Sequence, residues 1–164
     1  MPEKEVLAVI HWGIIGLGNI AKRFAEGLKY SDVGSLYGGA SHNEDKRAYF
    51  KEKYGIKTYD NYYDLLDDDE IDVVYIAVPH GMHYQWIKEA LNRNKAVLCE
   101  KPIAGNLEEG EKLVKLVKDN PQCKVLIGYI LRHNKTYQRV AQMIKSGAIG
   151  SPIIMRMAQN HHTM

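Results

Sequence analysis

The chain has 164 residues, 45% of them hydrophobic and 26% charged, with a formal net charge of +2. This is an ordinary balance for one globular domain of about 100–200 residues, and it excludes disordered, collagen-like and coiled-coil architectures. The charge is too mild for a nucleic-acid partner, and no run approaches the roughly 20 apolar residues of a membrane span.

Strand and helix patterns alternate along the chain. Leu7–Ile15 is apolar and β-branched and reads as a buried strand. Ile20, Phe24 and Leu28 recur every four residues, one face of a helix. Val33–Ala40 reads as a second strand, and Ser41-x-x-Glu44 as a capping box opening a helix through Tyr54 that Gly55 stops. Lys57–Tyr59 is a short third strand. Asn61 caps a short helix through Leu66, and an acidic turn, Asp67–Glu70, follows. Asp72–Val78 is the clearest strand. Val73, Val74, Ile76, Ala77 and Val78 leave no polar face, as in a parallel sheet covered on both sides.

The second half repeats the rhythm. His83–Arg93 is helical, with Ile87, Ala90 and Leu91 facing inward, and Ala96–Cys99 is a fifth strand. Asn106-x-x-Glu109 is another capping box, and Asn120-Pro121 ends its helix. Lys124–Leu131 reads as a sixth strand. Tyr137, Val140, Ala141 and Ile144 form one face of a further helix that Gly147 stops, and Pro152–Met157 begins a seventh strand. The pattern predicts an α/β fold, a doubly wound parallel sheet over residues 1–131. Residues 132–164 break the rhythm.

The cysteines are Cys99 and Cys123, each beside an apolar run and neither in a C-x-x-C pair. Buried thiols in a reducing compartment are expected, with no disulfide framework or zinc site. Glu3, Lys4 and Glu5 precede only a short apolar run, Val6–Ile10, unlike a signal peptide. A cytoplasmic protein follows as the expectation.

Strand one runs into Gly16-Leu17-Gly18-Asn19-Ile20-Ala21, a G-x-G-x-x-A loop. Gly16 permits the tight turn, Gly18 lets the backbone approach a pyrophosphate, and Ala21 allows close helix–strand packing. The N–H groups of Asn19 and Ile20 open the helix and face the phosphates. Such a loop between a buried strand and an amphipathic helix points to a dinucleotide. A carboxylate at the tip of strand two would select NAD, but the tip reads Ala40-Ser41-His42-Asn43. Glu44 follows, but it is better explained as the third helical residue of the Ser41 box. Ser41 and His42 can hydrogen-bond a 2′-phosphate, and Lys46 or Arg47 can add charge. NADP is therefore preferred over NAD. A solvated helix face competes as the explanation of Lys46 and Arg47.

Two further strand tips are chemically unusual. After strand four comes Val78-Pro79-His80-Gly81-Met82-His83. Pro79 ends the strand, and His83 either caps the next helix or contacts the cofactor near its nicotinamide. After strand five comes Cys99-Glu100-Lys101-Pro102. A charged pair ending a buried strand is costly unless it is solvated or used. Lys101 could hydrogen-bond a substrate hydroxyl and help move its proton, a role that favours a lysine of lowered pKa; an ordinary surface ion pair is the bland alternative. Pro102 holds Lys101 in extended backbone, and its peptide bond could be cis.

Trp12 to Ala21, Ala77-Val78-Pro79 with His83, and Glu100-Lys101-Pro102 together resemble the Gfo/Idh/MocA oxidoreductase family. The stretch from Arg132 to Gly150 resembles that family's bridge into its second domain. The Trp-Gly start and Val97-Leu98-Cys99-Glu100-Lys101-Pro102 look nearest to dihydrodiol dehydrogenase-like members. The resemblance implies an N-terminal Rossmann domain followed by an α+β domain whose open sheet builds an oligomer interface, hence a homo-oligomer. It implies hydride transfer between a nicotinamide and a hydroxyl carbon of a small sugar, polyol or diol. Lys101 would be catalytic, with Pro79, His83 and Glu100 on the cofactor.

The family's second domain supplies a D-x-x-x-H pair, and no Asp here has a His four residues later. His161 and His162 fall too early and in the wrong pattern. The expectation is an N-terminal part that binds cofactor, lacks the complete active site and carries the truncated start of the second domain. A stand-alone dinucleotide-binding module with a sensing or interaction role is the alternative.

Overall fold

The computed structural model describes residues 9–122 and 124–156. The chain divides into two units, Met1–Gly128 and Tyr129–Met164. The first begins with β1 (Ile10–Ile15), α1 (Asn19–Leu28), β2 (Gly34–Ala40), α2 (Glu44–Tyr54) and β3 (Lys57–Tyr59). α3 (Tyr62–Leu66) leads into β4 (Val73–Ile76), α4 (His83–Leu91), β5 (Ala96–Cys99), α5 (Leu107–Asp119) and β6 (Val125–Ile127). The six strands form one sheet in the order β3-β2-β1-β4-β5-β6, and every pairing is parallel. This is the doubly wound sheet expected from the alternation. The chain winds outward from β1 in one direction and from β4 in the other, so a crevice opens at their carboxyl ends.

Alternate residues of each strand feed opposite layers. Ile14 and Tyr75 join Leu17, Ala21, Ala25, Phe50 and Ile56 beneath α1 and α2. Ile15, Val74, Ile76, Val97 and Cys99 join Leu65, Trp86, Ile87 and Leu113 beneath α3, α4 and α5. Each fully buried Ile or Leu stabilises the fold by roughly 1.5–3 kcal/mol relative to exposure. Cys99 is free and buried, and burial pushes its thiol up to about 12. Cys123 lies outside the described residues.

Four expectations need correction. Ser41 does not open α2; Asn43 does, its side chain accepting from the Lys46 amide at 2.9 Å. The Ser41 amide still donates to Tyr59 O across the sheet at 3.1 Å, so the chain is still extended there. Glu44 is thus the first helical residue, not the third. β4 ends at Ile76, short of Val78. β6 covers only Val125–Ile127, not Lys124–Leu131. Its neighbour β5 stops at Cys99, and beyond the Gly128 amide, which donates to Cys99 O at 2.7 Å, no strand remains to pair with. Leu7 and Ala8 of the expected first strand lie outside the described residues.

The Asn106 capping box forms with a shift. Asn106 accepts from the Glu109 amide at 2.9 Å, while the Glu109 carboxylate accepts from Gly105 N at 3.0 Å.

In the second unit, a single turn of 3-10 helix, Ile130–His133, precedes α6 (Lys135–Lys145). Asn134 caps α6, accepting from the Thr136 amide at 2.9 Å. The expected strand over Pro152–Met157 is not formed over residues 152–156. An isolated strand has no ladder to satisfy its backbone. Met157 and the pair His161 and His162 lie outside the described residues.

Candidate cofactor and active site

The glycine loop leaves the carboxyl end of β1. Gly16 has φ +92°, and a Cβ there would lie 2.7 Å from Ala77 O and 3.0 Å from Val78 Cγ1. Its amide donates to Ala40 O at 3.0 Å. Gly16 is therefore wedged between the tips of β2 and β4, and glycine is required by the fold itself. Gly18 differs. It is the N-cap of α1 in extended backbone, without a side-chain cap, and a Cβ there would meet nothing within 4 Å. The space over Gly18 is open, and the uncapped amides of α1, beginning at Asn19, face it. That is the cradle a pyrophosphate needs. Ala21 is fully buried against the sheet.

At the tip of β2, Ser41 is buried and its Oγ accepts from the Asn43 amide at 3.2 Å. Arg47 donates from Nη1 to Ser41 O at 2.7 Å. α2 thus folds a guanidinium back onto the strand tip. His42 is exposed. Its ring lies 4.7 Å from that of Tyr62, tilted by 44°.

Ile20, Ala77, Val78, Pro79, His80, His83, Glu100 and Lys101 line a single cleft of about 330 Å³. This brings the start of α1 together with the tips of β4 and β5. Four of the expected site residues past the glycine loop meet there: Pro79, His83, Glu100 and Lys101. Ser41 and His42 sit apart, along the same carboxyl edge of the sheet.

The two strand tips are tied to each other. His83 is the first residue of α4, the N-cap position being held by Met82 without a side-chain bond, and it is 1% exposed. Its Nδ1 lies 2.8 Å from Pro102 O and its Nε2 3.1 Å from Val78 O. Each tautomer donates one of these bonds. The capping role therefore does not occur; the ring bridges the main chains after β4 and β5. The Lys101–Pro102 peptide bond is cis.

Glu100 is held on both sides. Its Oε1 accepts from the Tyr75 hydroxyl at 2.6 Å, and its Oε2 accepts from the Lys101 amide at 3.2 Å. Burial first, and then the Glu100 carboxylate, push the Tyr75 phenol upward. Tyr75 stacks on Phe24 of α1, 4.1 Å between ring centroids. Lys101 is exposed at the cleft, and its ammonium makes no hydrogen bond or ion pair to the described residues.

Sequence reasoning missed Tyr75, passing over it inside an apolar strand. A signal was present. A buried phenol needs a partner, and Tyr75 pairs in register with Leu98, so Glu100 emerges two residues later on the same face. His80 also lines the cleft without having been singled out.

Comparison with known proteins agrees with this geometry. Residues 10–129 match the family model described as "Oxidoreductase family, NAD-binding Rossmann fold". Myo-inositol 2-dehydrogenase of Thermotoga maritima is 29% identical over 146 residues, 88% of this chain and 43% of that protein. The dTDP-3,4-didehydro-2,6-dideoxy-alpha-D-glucose 3-reductase of Actinomadura kijaniata is 30% identical over 142 residues, 86% of this chain and 42% of that protein. Among solved structures, scyllo-inositol dehydrogenase of Lactobacillus casei with bound NAD(H) and scyllo-inositol superposes with a TM-score of 0.82 at 28% identity. That match covers 87% of this chain and 42% of the other. A 3-ketoreductase of Actinomadura kijaniata in complex with NADP gives 0.77 at 30% identity over 87% of this chain and 45% of its own. The chain spans less than half the length of these relatives. With its glycine loop, its switch-point crevice and its Glu100-Lys101-Pro102 tip, the chain belongs to the Gfo/Idh/MocA family of oxidoreductases.

Proposed function

We propose that this chain is the cofactor-binding part of a nicotinamide-dependent oxidoreductase acting on a hydroxyl carbon of a small sugar, polyol or diol. The observation that carries the reading is the open, uncapped space over Gly18, on one crevice with Lys101. The amides of Asn19 and Ile20 bind the pyrophosphate. Ser41, His42 and Arg47 meet the 2′-phosphate carried by the adenosine ribose, and the lack of a carboxylate at the β2 tip favours NADP over NAD.

A nicotinamide bound at the cleft supplies or accepts hydride. Glu100, fixed by Tyr75, and Pro79 line the place it needs. His83 holds the two strand tips in register beneath it. Lys101 presents its ammonium to the substrate hydroxyl, donating a hydrogen bond and helping to move the proton as the carbonyl forms or is reduced.

The expected Asp/His pair has no counterpart in the sequence, so turnover by the chain alone is not expected. The reading as a sensing module gives Lys101 no task, and its place in the cleft favours the enzyme. Calorimetric titration with NADPH and NADH tests the proposal. Binding of either should be seen, tighter for NADPH. Gly18→Val should weaken it more than tenfold while unfolding stability stays within about 0.5 kcal/mol. Heat signals absent for both nucleotides would defeat the reading.

A further inference from the structure

The aromatic contact at the β2 tip carries an inference that rests on the cofactor reading above. Tyr62 is 8% exposed. Trp86 of α4 meets its ring edge-on, 4.8 Å between centroids at 90°. Trp86 is itself buried and also packs against Tyr63 at 5.1 Å. Tyr62 is thus fixed within the core, and the exposed His42 ring also lies against it. His42 makes no hydrogen bond to the described residues, so both ring nitrogens are available. Ser41 precedes it and Arg47 is folded onto the same tip.

We propose that Tyr62 is a positioning residue for recognition of a 2′-phosphorylated ribose, acting as the seat that holds the His42 imidazole at the tip of β2. The physical reason is preorganisation. An exposed histidine free to sample its rotamers loses that freedom when a ligand immobilises it. A ring already resting on a fixed aromatic surface loses less, so its hydrogen bond to a phosphate oxygen adds more affinity. NADH lacks that phosphate and gains nothing from the seat. Tyr62 therefore acts on the ratio of the two affinities, not on binding in general.

The test titrates the whole chain with NADPH and with NADH, for the wild type, His42→Ala, Tyr62→Leu, Tyr62→Phe and the double variant His42→Ala/Tyr62→Leu. The wild type should prefer NADPH. His42→Ala and Tyr62→Leu should each weaken NADPH about threefold to tenfold, with NADH changed less than twofold. The double variant should be no weaker than His42→Ala alone, because the seat is useless without its occupant. Tyr62→Phe keeps the ring and should restore the wild-type ratio. If Tyr62→Leu does not fold, Tyr62→Met fills the same volume more adaptably and is read the same way.

Equal weakening of both nucleotides would overturn the proposal, since it would mean a merely structural Tyr62 or adenine stacking on His42. Additive losses in the double variant, or a Tyr62→Phe protein as impaired as Tyr62→Leu, would overturn it too. A wild type that binds NADH as well as NADPH overturns this inference and leaves the cofactor site standing. A wild type that binds neither removes the cofactor reading itself.

Discussion

The glycine loop and the paired tips of β4 and β5 face one crevice, yet they are built on opposite plans. At Gly18 the chain leaves space empty and amides uncapped. At the strand tips the chain fills its own valences: His83 spans Val78 O and Pro102 O, and Glu100 is shared between Tyr75 and the Lys101 amide. One region waits for a ligand to complete it. The other is complete without one, save for the Lys101 ammonium. Gly16 shows how close the two plans lie, since a single residue, Leu17, separates a position the fold needs from one it can spare.

Substitutions test whether the two regions differ in this way. The largest effect is expected at Gly16, where Gly16→Ala meets both a positive φ and a Cβ 2.7 Å from Ala77 O. It should cost about 3 kcal/mol or prevent folding, read by urea unfolding, whereas Gly18→Val should cost almost nothing. If the two behave alike, the division of roles within the loop is wrong.

His83→Ala should follow, at roughly 2–3 kcal/mol, because it leaves a buried cavity and two carbonyls without the ring. Nucleotide affinity should fall much less than with Gly18→Val. A large loss of binding without loss of stability would instead place His83 directly on the ligand.

Tyr75→Phe deletes one hydroxyl and should cost about 1–2 kcal/mol. Glu100→Ala should overlap with it in a double-variant cycle, since both variants remove the same bond.

The smallest effect lies away from the crevice and serves as a control. Burial alone would raise the Asp68 carboxyl, but the Lys57 ammonium, the Tyr59 hydroxyl and the Glu70 amide outweigh it and hold the group at about 2, below its ordinary 3.8. Its contribution to stability is full above about pH 4 and lost as the pH falls toward 2. Asp68→Asn should flatten that part of the acid-unfolding curve and leave nucleotide binding unchanged.

What could be read from the chain, and what could not, divides along physical lines. The central strands were legible because buried parallel strands carry apolar runs on both faces, as in Val73–Ile76. The glycine loop was legible because it is a backbone motif whose residue types follow from sterics. Ser41 was mistaken for the cap because two good capping residues stand two positions apart, and only the pairing of its amide with Tyr59 O decides for Asn43. The strand expected at residues 152–157 had the right local pattern, but strandedness is a property of a pair. Tyr75 and Tyr62 escaped notice for another reason: their importance lies in contacts with Glu100 and His42, 25 and 20 residues away in sequence.

Both margins of the sheet are strands of only three residues, β3 and β6. So short an edge gives another chain few unpaired amides and carbonyls to add to. The side chains give a different signal, because Leu126 in the middle of β6 is 68% exposed. Any tendency of this chain to self-associate in concentrated solution along that margin would therefore come from one apolar side chain more than from the backbone. Leu126→Thr, which keeps a strand-compatible residue, is the natural substitution for obtaining samples dilute in aggregate and suited to calorimetry.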